Sequence, residues 1–383
     1  MADGTVQDVT FLLNRAGWVF DDQEPRYTSA LFNVSKASPG SDATVPVRGP
    51  YADIHRYHRG MTTEPRPLPV TELLTWTDTA ALPMLPAEDS IEAFLQLRRS
   101  PRLDLNNGKS WRARPHTELH ATNDKKLMNL RAKACPEGHW PVFKGESFDI
   151  WTPDTGRYYA YADPNKLLPH LHQKRLNSAR LARSAFSEFP RQWLQDQDAL
   201  PCLRPRIAFH DVARATDSRT VKVALIPPQV FITNAAPFLL WPRGDDRDQA
   251  YLLAILASLS LDWYARRFAE IHLNFHVFDP MPIPRPARTD PLWRRAVALA
   301  GRLASPDDRF AEWGKAVGVE CGALPEEEKQ DMIHELDAVV AHLYGLSEQH
   351  LTHIFETFHE GWDYEERLRA TLRQYWDWRK RRT

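Results

Sequence analysis

The sequence predicts an α+β protein in which strands come early and helices come late. Two β-rich runs open the chain, and further short β-like runs separated by Pro, Gly and Asp fill its middle. After residue 286 the apolar residues follow helical spacing instead. Thirty prolines predict many irregular connections between these elements.

The composition is that of a globular protein with balanced charge. Of 383 residues, 43% are hydrophobic and 26% are charged, which argues against global disorder. Forty-nine Lys and Arg stand against fifty Asp and Glu, a net charge of −1. If the chain binds nucleic acid, its basic residues must therefore be segregated onto one face.

Three further features predict a cytoplasmic protein. No apolar run reaches the ~20 residues that span a bilayer. The first residues, MADGTVQDV, lack the basic and apolar regions of a signal peptide. Cys135, Cys202 and Cys321 lie far apart without CxxC spacing, which argues against a zinc site or disulfide framework.

The first element is an antiparallel strand pair. VTFLLN (9–14) and RYTSALFNVSK (26–36) are β-rich and are joined by a Gly- and Asp-containing connection. An isolated hairpin is marginal in water, so we expect it to be the edge of a sheet whose other strands lie elsewhere. Residues 37–69 are rich in Pro, Gly, Ser and Arg and predict a loop or linker.

The middle of the chain predicts a mixture of short strands and helices. Glu88 to Arg99 has helical spacing, Pro169 suits the start of another helix, and an apolar stripe predicts one continuous helix over 248–270. The β-like runs are 140–145, 147–151 and 157–162, followed by RIAFHDV, VKVALIP and QVFITN up to Asn234.

The last hundred residues predict a helical layer. Asp290 and Pro291 are typical of a helix start, and Ser347 is a second N-cap candidate. Between them, PEEEKQDMIHELDAVVAHLYG has acidic residues in its first turn and Gly345 just past its end.

Basic and polar loops are the strongest candidate for a binding surface. Asparagine can pair with adenine and arginine with guanine, while lysine holds phosphates. The alternative is a solvated loop with ordinary surface charge. A basic helical run beside the loops favours a phosphate-facing wall. The loop cations are Lys109, Arg112, Arg114, Lys125, Lys126 and Arg131, near Asn106, Asn107, Asn123 and Trp111; the helical ones are Lys174, Arg175, Arg180 and Arg183.

Other chemistry finds little support in the sequence. HRYH (55–58), HLH (170–172) and the pair His272 and His276 invite a metal interpretation, but no third ligand stands nearby and we predict no metal site. Neither a Walker sequence, GxGxxG nor a GxSxG elbow occurs. His210-Asp211 fits a structural or ligand contact better than acid–base catalysis.

The segment RPRIAFHDVARATDSRTVKVALIPPQVFITN resembles the target-recognition region of large adenine-N6 DNA methyltransferases. These are the Eco57I-like enzymes of type IIG restriction–modification and of BREX- and DISARM-type phage defence. YLLAILAS (251–258), MPIPRP (281–286) and ELDAVVAHLYGLSEQHLTHIF (335–355) resemble later segments of the same family. His210 stands where the family usually has arginine. The matching residues are Arg206, Asp211, Arg214, Thr216, Arg219, Thr220 and Asn234, with Asn274 in a later connection.

The resemblance also shows which segments of the methyltransferase family this sequence lacks. The N-terminal hairpin resembles the last strands of the methyltransferase catalytic domain, and LNFHVF would be a strand returning to the recognition domain's sheet. The Gly-rich loop of an S-adenosylmethionine (SAM) pocket and the (N/D)PP(Y/F) loop that holds a flipped adenine do not occur. The resemblance therefore implies a chain that is not catalytic alone and carries no cofactor, with SAM in a partner chain.

The implied architecture has three parts. Residues 1–60 would be terminal strands of a methyltransferase-like sheet plus a linker, 61–286 a mixed α/β target-recognition domain, and 287–383 a C-terminal helical region. We expect a DNA-binding specificity subunit of a split adenine-N6 methyltransferase; the alternative is a scaffold of a defence complex that does not read DNA. For Arg206, Arg214, Arg219 and Asn274, holding the domain together is an equal alternative to DNA contact. For Arg206 and Arg214 this alternative takes the form of buried Arg–Asp bridges. The predicted DNA-binding residues are Lys109, Arg112, Arg114, Lys125, Lys126, Lys174, Arg175, Arg180, Arg183, Arg206, Arg214, Arg219 and Asn274.

Overall fold

The computed structural model describes residues 4–22, 28–40, 42–78, 81–87, 90–213, 217–269, 272–359 and 361–382. Small sheets and a C-terminal helical layer confirm the predicted α+β class. The strands are β1 (Thr5–Leu13), β2 (Thr28–Ser35), β3 (Thr44–Tyr51), β4 (Arg66–Pro69), β5 (Arg112–His116), β6 (Trp140–Phe143), β7 (Ala160–Ala162), β8 (Arg206–Phe209), β9 (Val223–Ile226), β10 (Phe231–Ile232) and β11 (Phe238–Arg243). The helices are α1 (Ile54–Gly60), α2 (Val70–Trp76), α3 (Ser90–Arg98), α4 (Pro164–Ala179), α5 (Arg191–Gln195), α6 (Asp246–Ala257), α7 (Leu259–Ala265), α8 (Phe275–Phe278), α9 (Pro291–Leu303), α10 (Ala311–Val317), α11 (Glu326–Leu343), α12 (Glu348–Glu356) and α13 (Glu365–Arg382).

The N-terminal sheet has the strand order β2-β1-β3-β4. β1 and β2 pair antiparallel, which confirms the predicted strand pair, and β1 also pairs with β3 in parallel. The expectation that residues 37–69 are a loop or linker was wrong, because they supply β3, α1 and β4. On β3, Val45 and Val47 alternate into the core, and their burial outweighs the prolines that indicated a loop.

Two further sheets build the middle of the chain, with strand orders β10-β6-β7 and β5-β11-β8-β9. Strands lie in most of the predicted β-like runs, but residues 147–151 differ. There the chain forms a tight turn in which the Ser147 hydroxyl accepts the Lys144 N–H at 3.0 Å. Trp151 then has a left-handed φ of 57°. Local side-chain bonding of this kind competes with strand formation.

Two predicted helices have different bounds in the structure. α4 begins five residues before Pro169, at Pro164, because the Asp163 carboxylate caps it by accepting the Asn165 N–H. The single helix predicted over 248–270 is two helices, α6 and α7. Ser258 separates them with an extended conformation (φ −72°, ψ 152°), and its hydroxyl caps α7.

The segment LNFHVF is not the returning strand that we expected. Residues 275–278 form the short helix α8, and Asn274 lies at its N-cap position, where its carbonyl accepts the Val277 and Phe278 N–H groups at 2.9 Å. Phe278 is buried and stacks on Phe209 of β8 at 4.1 Å between ring centroids. This aromatic contact fixes the connection against the sheet.

The C-terminal helices follow the prediction and share a core with the N-terminal sheet. Asp290 caps α9, Ser347 caps α12, and Gly345 after α11 has the left-handed φ of 67° that glycine tolerates. A continuous apolar cluster extends from Val9 of β1 through α6 and α7 to Val340 of α11. In the part of the chain that the structure describes, no helix is long and apolar enough to cross a membrane.

Candidate nucleic-acid interface

Two segments, 105–127 and 174–188, contact each other at several points, and we call them the paired segments. The Arg112 guanidinium of β5 donates to the Glu188 carboxylate at 2.9 Å. Lys174 of α4 donates to the carbonyl of Glu118 at 2.6 Å. His116 and Phe186 make an edge-to-face contact with ring centroids 4.6 Å apart. Basic residues that are distant in sequence therefore lie on neighbouring segments.

The acidic residues of the paired segments are all engaged by internal partners. Glu188 bonds Arg112 and Arg114; burial alone would raise its pKa, but the two guanidiniums outweigh burial and lower it. Asp124 bonds Lys174 at 3.3 Å, and again burial is outweighed, by the His120 N–H and Lys174, so that its pKa is lowered. Both carboxylates are therefore ionised at neutral pH.

Glu118, the third acid, is buried in the middle sheets. Its carboxylate accepts from the Arg206 guanidinium at 3.1 Å and from the Ile232 N–H at 2.9 Å. Burial is the largest influence on Glu118 and raises its pKa, although Arg206 opposes this. Glu118 is 4% exposed and therefore contributes no charge to the surface.

Five cations of the paired segments remain exposed, and no carboxylate of the described residues binds them. The paired segments contain nine Lys or Arg and only the three acids described above. Those three acids bond groups inside the protein, so they do not neutralise the exposed positive charge. The paired segments therefore present positive charge although the net charge of the whole chain is close to zero. We call this set the cationic strip: Lys109, Lys125, Lys126, Arg180 and Arg183.

Local hydrogen bonds position the backbone beneath the strip. The Asn107 carboxamide oxygen accepts the N–H groups of Lys109 and Ser110 at 3.1 and 2.9 Å, which forms a turn. Asn234, one of the family-matched residues, accepts the Ala121 N–H at 3.0 Å and ties the lysine-bearing loop to the end of β10. Its role in this structure is therefore to hold the loop.

Several other predicted DNA-binding residues point into the protein. Lys174 is half-buried on Asp124, and Arg112 and Arg114 are bound to Glu188. Arg175 is 1% exposed and lies over the Trp193 ring at 4.7 Å. A DNA contact by these four residues stays a prediction, while the structure gives each guanidinium or ammonium an internal partner.

Two of the family-matched arginines, Arg206 and Arg219, have partners inside the protein. Arg206 is 2% exposed and pairs with Glu118, so its buried partner is a glutamate rather than an aspartate. Arg219 bonds the fully buried Asp262 and donates to the carbonyls of Ala257 and Ser258, where α6 gives way to α7. Arg214 and Thr216 lie outside the described residues.

Asn274 is a family-matched residue of the described chain whose side chain is not bonded inside the protein. It is exposed, and within the described chain its carboxamide has no hydrogen-bond partner. Next to it, His272 bonds the Asp211 carboxylate at 2.9 Å, and the Leu273 N–H donates to the Asp211 carbonyl at 2.6 Å. These two contacts hold Asn274 beside the segment that leads from β8.

Three of the histidines that the sequence analysis considered bond groups inside the protein. Burial lowers the pKa of His210, whose ring bonds the Phe148 carbonyl at 2.9 Å. His170 bonds Asp124, and His172 lies near the Leu194 carbonyl. In the described ranges, no three His, Cys, Asp or Glu residues are placed to hold a metal ion.

Sequence reasoning missed an open cleft beside β3 and α1, with a volume of about 460 Å³. We call it the arginine cleft, because the charged residues that line it within the described chain are four arginines and Glu64. The only signal in the sequence was the density of arginine in a segment that we expected to be a linker. The four are Arg48, Arg56, Arg59 and Arg66.

Comparison with known proteins identifies a weak structural likeness. No protein-family model matches the chain, and no curated protein matches it in sequence. Among solved structures, the chain is similar to the type IIL restriction–modification enzyme MmeI, which was solved in complex with DNA. The TM-score is 0.41 and the identity 11%, over 93% of this chain and 46% of that enzyme's chain. The chain thus spans about half the length of that enzyme.

Proposed function

We propose that this protein is the DNA-binding specificity subunit of a split adenine-N6 DNA methyltransferase, acting in restriction–modification or phage defence in the cytoplasm. The cationic strip is the observation that carries the proposal. Its five exposed cations have no carboxylate partner among the described residues, in a chain whose net charge is −1. Duplex DNA is a dense row of negative charges, and binding it releases the counterions that screen them.

Asn274 supports sequence reading in addition to phosphate binding. A carboxamide can form a bidentate pair with adenine in the major groove, worth about 1–3 kcal/mol of discrimination. Asn274 has such a carboxamide exposed, and its backbone is fixed by α8. Arg180 and Arg183, which follow α4 and are exposed, support the proposal as candidates for contact with phosphates or guanine.

The chemistry of methylation is assigned to another chain. Neither an (N/D)PP(Y/F) sequence nor the Gly-rich loop of a SAM pocket occurs in these 383 residues. A methyltransferase must hold the flipped adenine by stacking and by hydrogen bonds. The proposed partner therefore supplies the SAM pocket and the adenine pocket, while this chain selects the site.

Strand β2 is the proposed contact with that partner. It is the outer strand of its sheet, and three of its apolar side chains are exposed: Leu31 (52%), Phe32 (59%) and Val34 (58%). An outer strand presents unpaired N–H and C=O groups, and native proteins normally protect such edges. Addition of a partner strand would satisfy these groups and cover the apolar side chains.

We expect Phe32→Lys combined with Val34→Lys to abolish co-purification with a SAM-binding chain from the native cell. Two charges on the exposed edge oppose strand addition, whereas removing the whole hairpin would expose the buried β1. The measurement is an affinity pull-down followed by mass spectrometry. The control, Leu130→Lys with Leu181→Lys, makes the same change at exposed apolar residues outside the N-terminal sheet. Unchanged partner recovery with the β2 variant would place the interface elsewhere.

The alternative is a scaffold subunit that uses the same β2 edge without reading DNA. Selection from a pool of duplexes with a randomised segment, followed by sequencing of the bound fraction, separates the two functions. The specificity subunit should enrich one short sequence. Recovery of all sequences equally, or of no DNA, would contradict the proposed function and favour the scaffold.

A further inference from the structure

The arginine cleft lies beside the N-terminal sheet, contains no residue of the cationic strip, and is lined by residues from both sides of the predicted domain boundary after residue 60. One wall is β3, which carries Arg48 and Tyr51, and the other is the end of α1, which carries Arg59. Its volume of about 460 Å³ falls within the range of small-molecule sites, which is roughly 300–1,000 Å³. The cleft therefore has room for a ligand larger than a single phosphate.

The walls of the cleft are held by close packing. At Gly60, a Cβ atom would meet the end of the Tyr51 side chain at 2.0–2.2 Å, so a larger residue there would displace the Tyr51 ring. At Gly49, where φ is +81°, a Cβ would meet the backbone carbonyl of Phe11 at 2.4 Å, so this position requires glycine. Both glycines line the cleft, and side chains at these positions would alter its walls.

Two of the arginines donate to backbone carbonyls. Arg48 donates to the carbonyls of Gly60, at 3.3 Å, and Thr63. Arg66 donates to the carbonyls of Leu85 and Ala87 at 3.1 and 2.8 Å. For Arg48, the carbonyls position the guanidinium without cancelling its charge. Because a guanidinium has five N–H donors, Arg48 also keeps donors that these carbonyls do not use.

Arg59 provides the exposed charge. It lies on the last turn of α1, lines the cleft and has no carboxylate partner among the described residues. Arg56, one turn earlier, is half exposed and lies 3.4 Å from Asp53. Among the described lining residues the charged ones are four arginines and Glu64, and Arg48 and Arg59 are the two whose positive charge no carboxylate of the described chain binds.

From this cleft we infer a second anion site, which binds phosphate groups carried by a phosphodiester or a polyphosphate. Arginine matches phosphate oxygens with parallel N–H donors, and several guanidiniums around one cleft suit a ligand with more than one negative charge. The phosphates belong either to the backbone of bound DNA or to a free nucleotide. Only the first source rests on the proposed function.

Arg59→Glu tests the site, because the Arg59 side chain is exposed and makes no hydrogen bond or ion pair with the described residues. The matched control is Arg294→Glu, the same change at an exposed arginine of α9 with no carboxylate partner in the described chain. The probes are inorganic pyrophosphate, titrated by calorimetry, and a short duplex, titrated by fluorescence anisotropy. We expect Arg59→Glu to weaken at least one probe about tenfold or more, with Arg294→Glu unchanged.

The two probes distinguish the sources of the phosphate. Loss of duplex affinity, together with a slope of log K against log salt that is about one unit shallower, would assign the site to the DNA backbone. Loss of pyrophosphate binding with unchanged duplex affinity would assign it to a free polyphosphate compound. If Arg59→Glu changes neither probe relative to the control, the cleft is not an anion site. That result would leave the proposed function standing, because the cationic strip is tested by separate variants.

Discussion

Replacing Lys125, Lys126, Arg180 and Arg183 together by glutamine should lower the affinity for duplex DNA on the order of 100-fold at ~0.1 M salt. The four residues are exposed and have no carboxylate partner in the described structure, so their charge is available to phosphates. Each lost phosphate contact also removes one released counterion. We therefore expect the effect to be larger at low salt than at high salt.

The substitution should leave the fold unchanged, because the contacts between the paired segments are made by other residues, such as Lys174 and Glu188. Its control carries the same charge change on the C-terminal helices and should bind DNA like the unmodified protein. The affinities are measured by fluorescence anisotropy, and circular dichroism checks the fold. Equal loss in both variants would show that net charge, and not the cationic strip, drives binding. The control positions are Arg294, Lys315, Lys329 and Arg373.

The largest expected effect on stability is that of Arg206→Ala, which should lower the free energy of unfolding by about 3–5 kcal/mol. Arg206 is 2% exposed and Glu118 is 4% exposed, and their charged groups are 3.1 Å apart. Arg206 also donates to the Val230 carbonyl at 3.1 Å and lies over the Phe238 ring. Removing the guanidinium leaves a buried carboxylate whose remaining partner is the Ile232 N–H.

The double variant Arg206→Met with Glu118→Gln separates the burial of charge from the loss of packing. It removes both charges and keeps a side-chain oxygen for the Ile232 N–H, so it should recover most of the stability lost by Arg206→Ala. Urea denaturation measures all three proteins. If Arg206→Ala lowers the free energy of unfolding by less than ~1 kcal/mol, the Arg206–Glu118 pair does not have the structural role that we assign to it. Unchanged DNA affinity in a folded double variant would show that this family-matched arginine holds the domain and does not touch DNA.

The sequence predicted most elements whose signal is local. The β1–β2 pair, α3, and the capped helices α9, α11 and α12 each have a periodic pattern with a defined start or end. The errors arose where tertiary packing or side-chain bonding overrides the pattern. Phe278 packs against Phe209, and the segment around it is a helix where we expected a strand. Ser258 breaks an apolar stripe that alone predicts a continuous helix.

The candidate site was predicted less completely, because sequence does not tell which charges meet. Nine basic residues of the paired segments look alike in sequence, yet Glu188, Asp124 and the Asp196 carbonyl engage four of them inside the protein. The partners lie between 21 and 76 residues away along the chain. The arginine cleft was missed for the same reason, since β3 and α1 form it only once the sheet has assembled.

The salt dependence of duplex binding, measured for the unmodified protein and for the variant with glutamine at positions 125, 126, 180 and 183, tests the central claim most directly. The slope of log K against log salt is about −0.9 for each phosphate contact. We predict a steep linear slope for the unmodified protein and one that is about three to four units shallower for the variant. The same slope for both proteins, or no DNA binding at any salt, would contradict the cationic strip as the DNA-contacting surface.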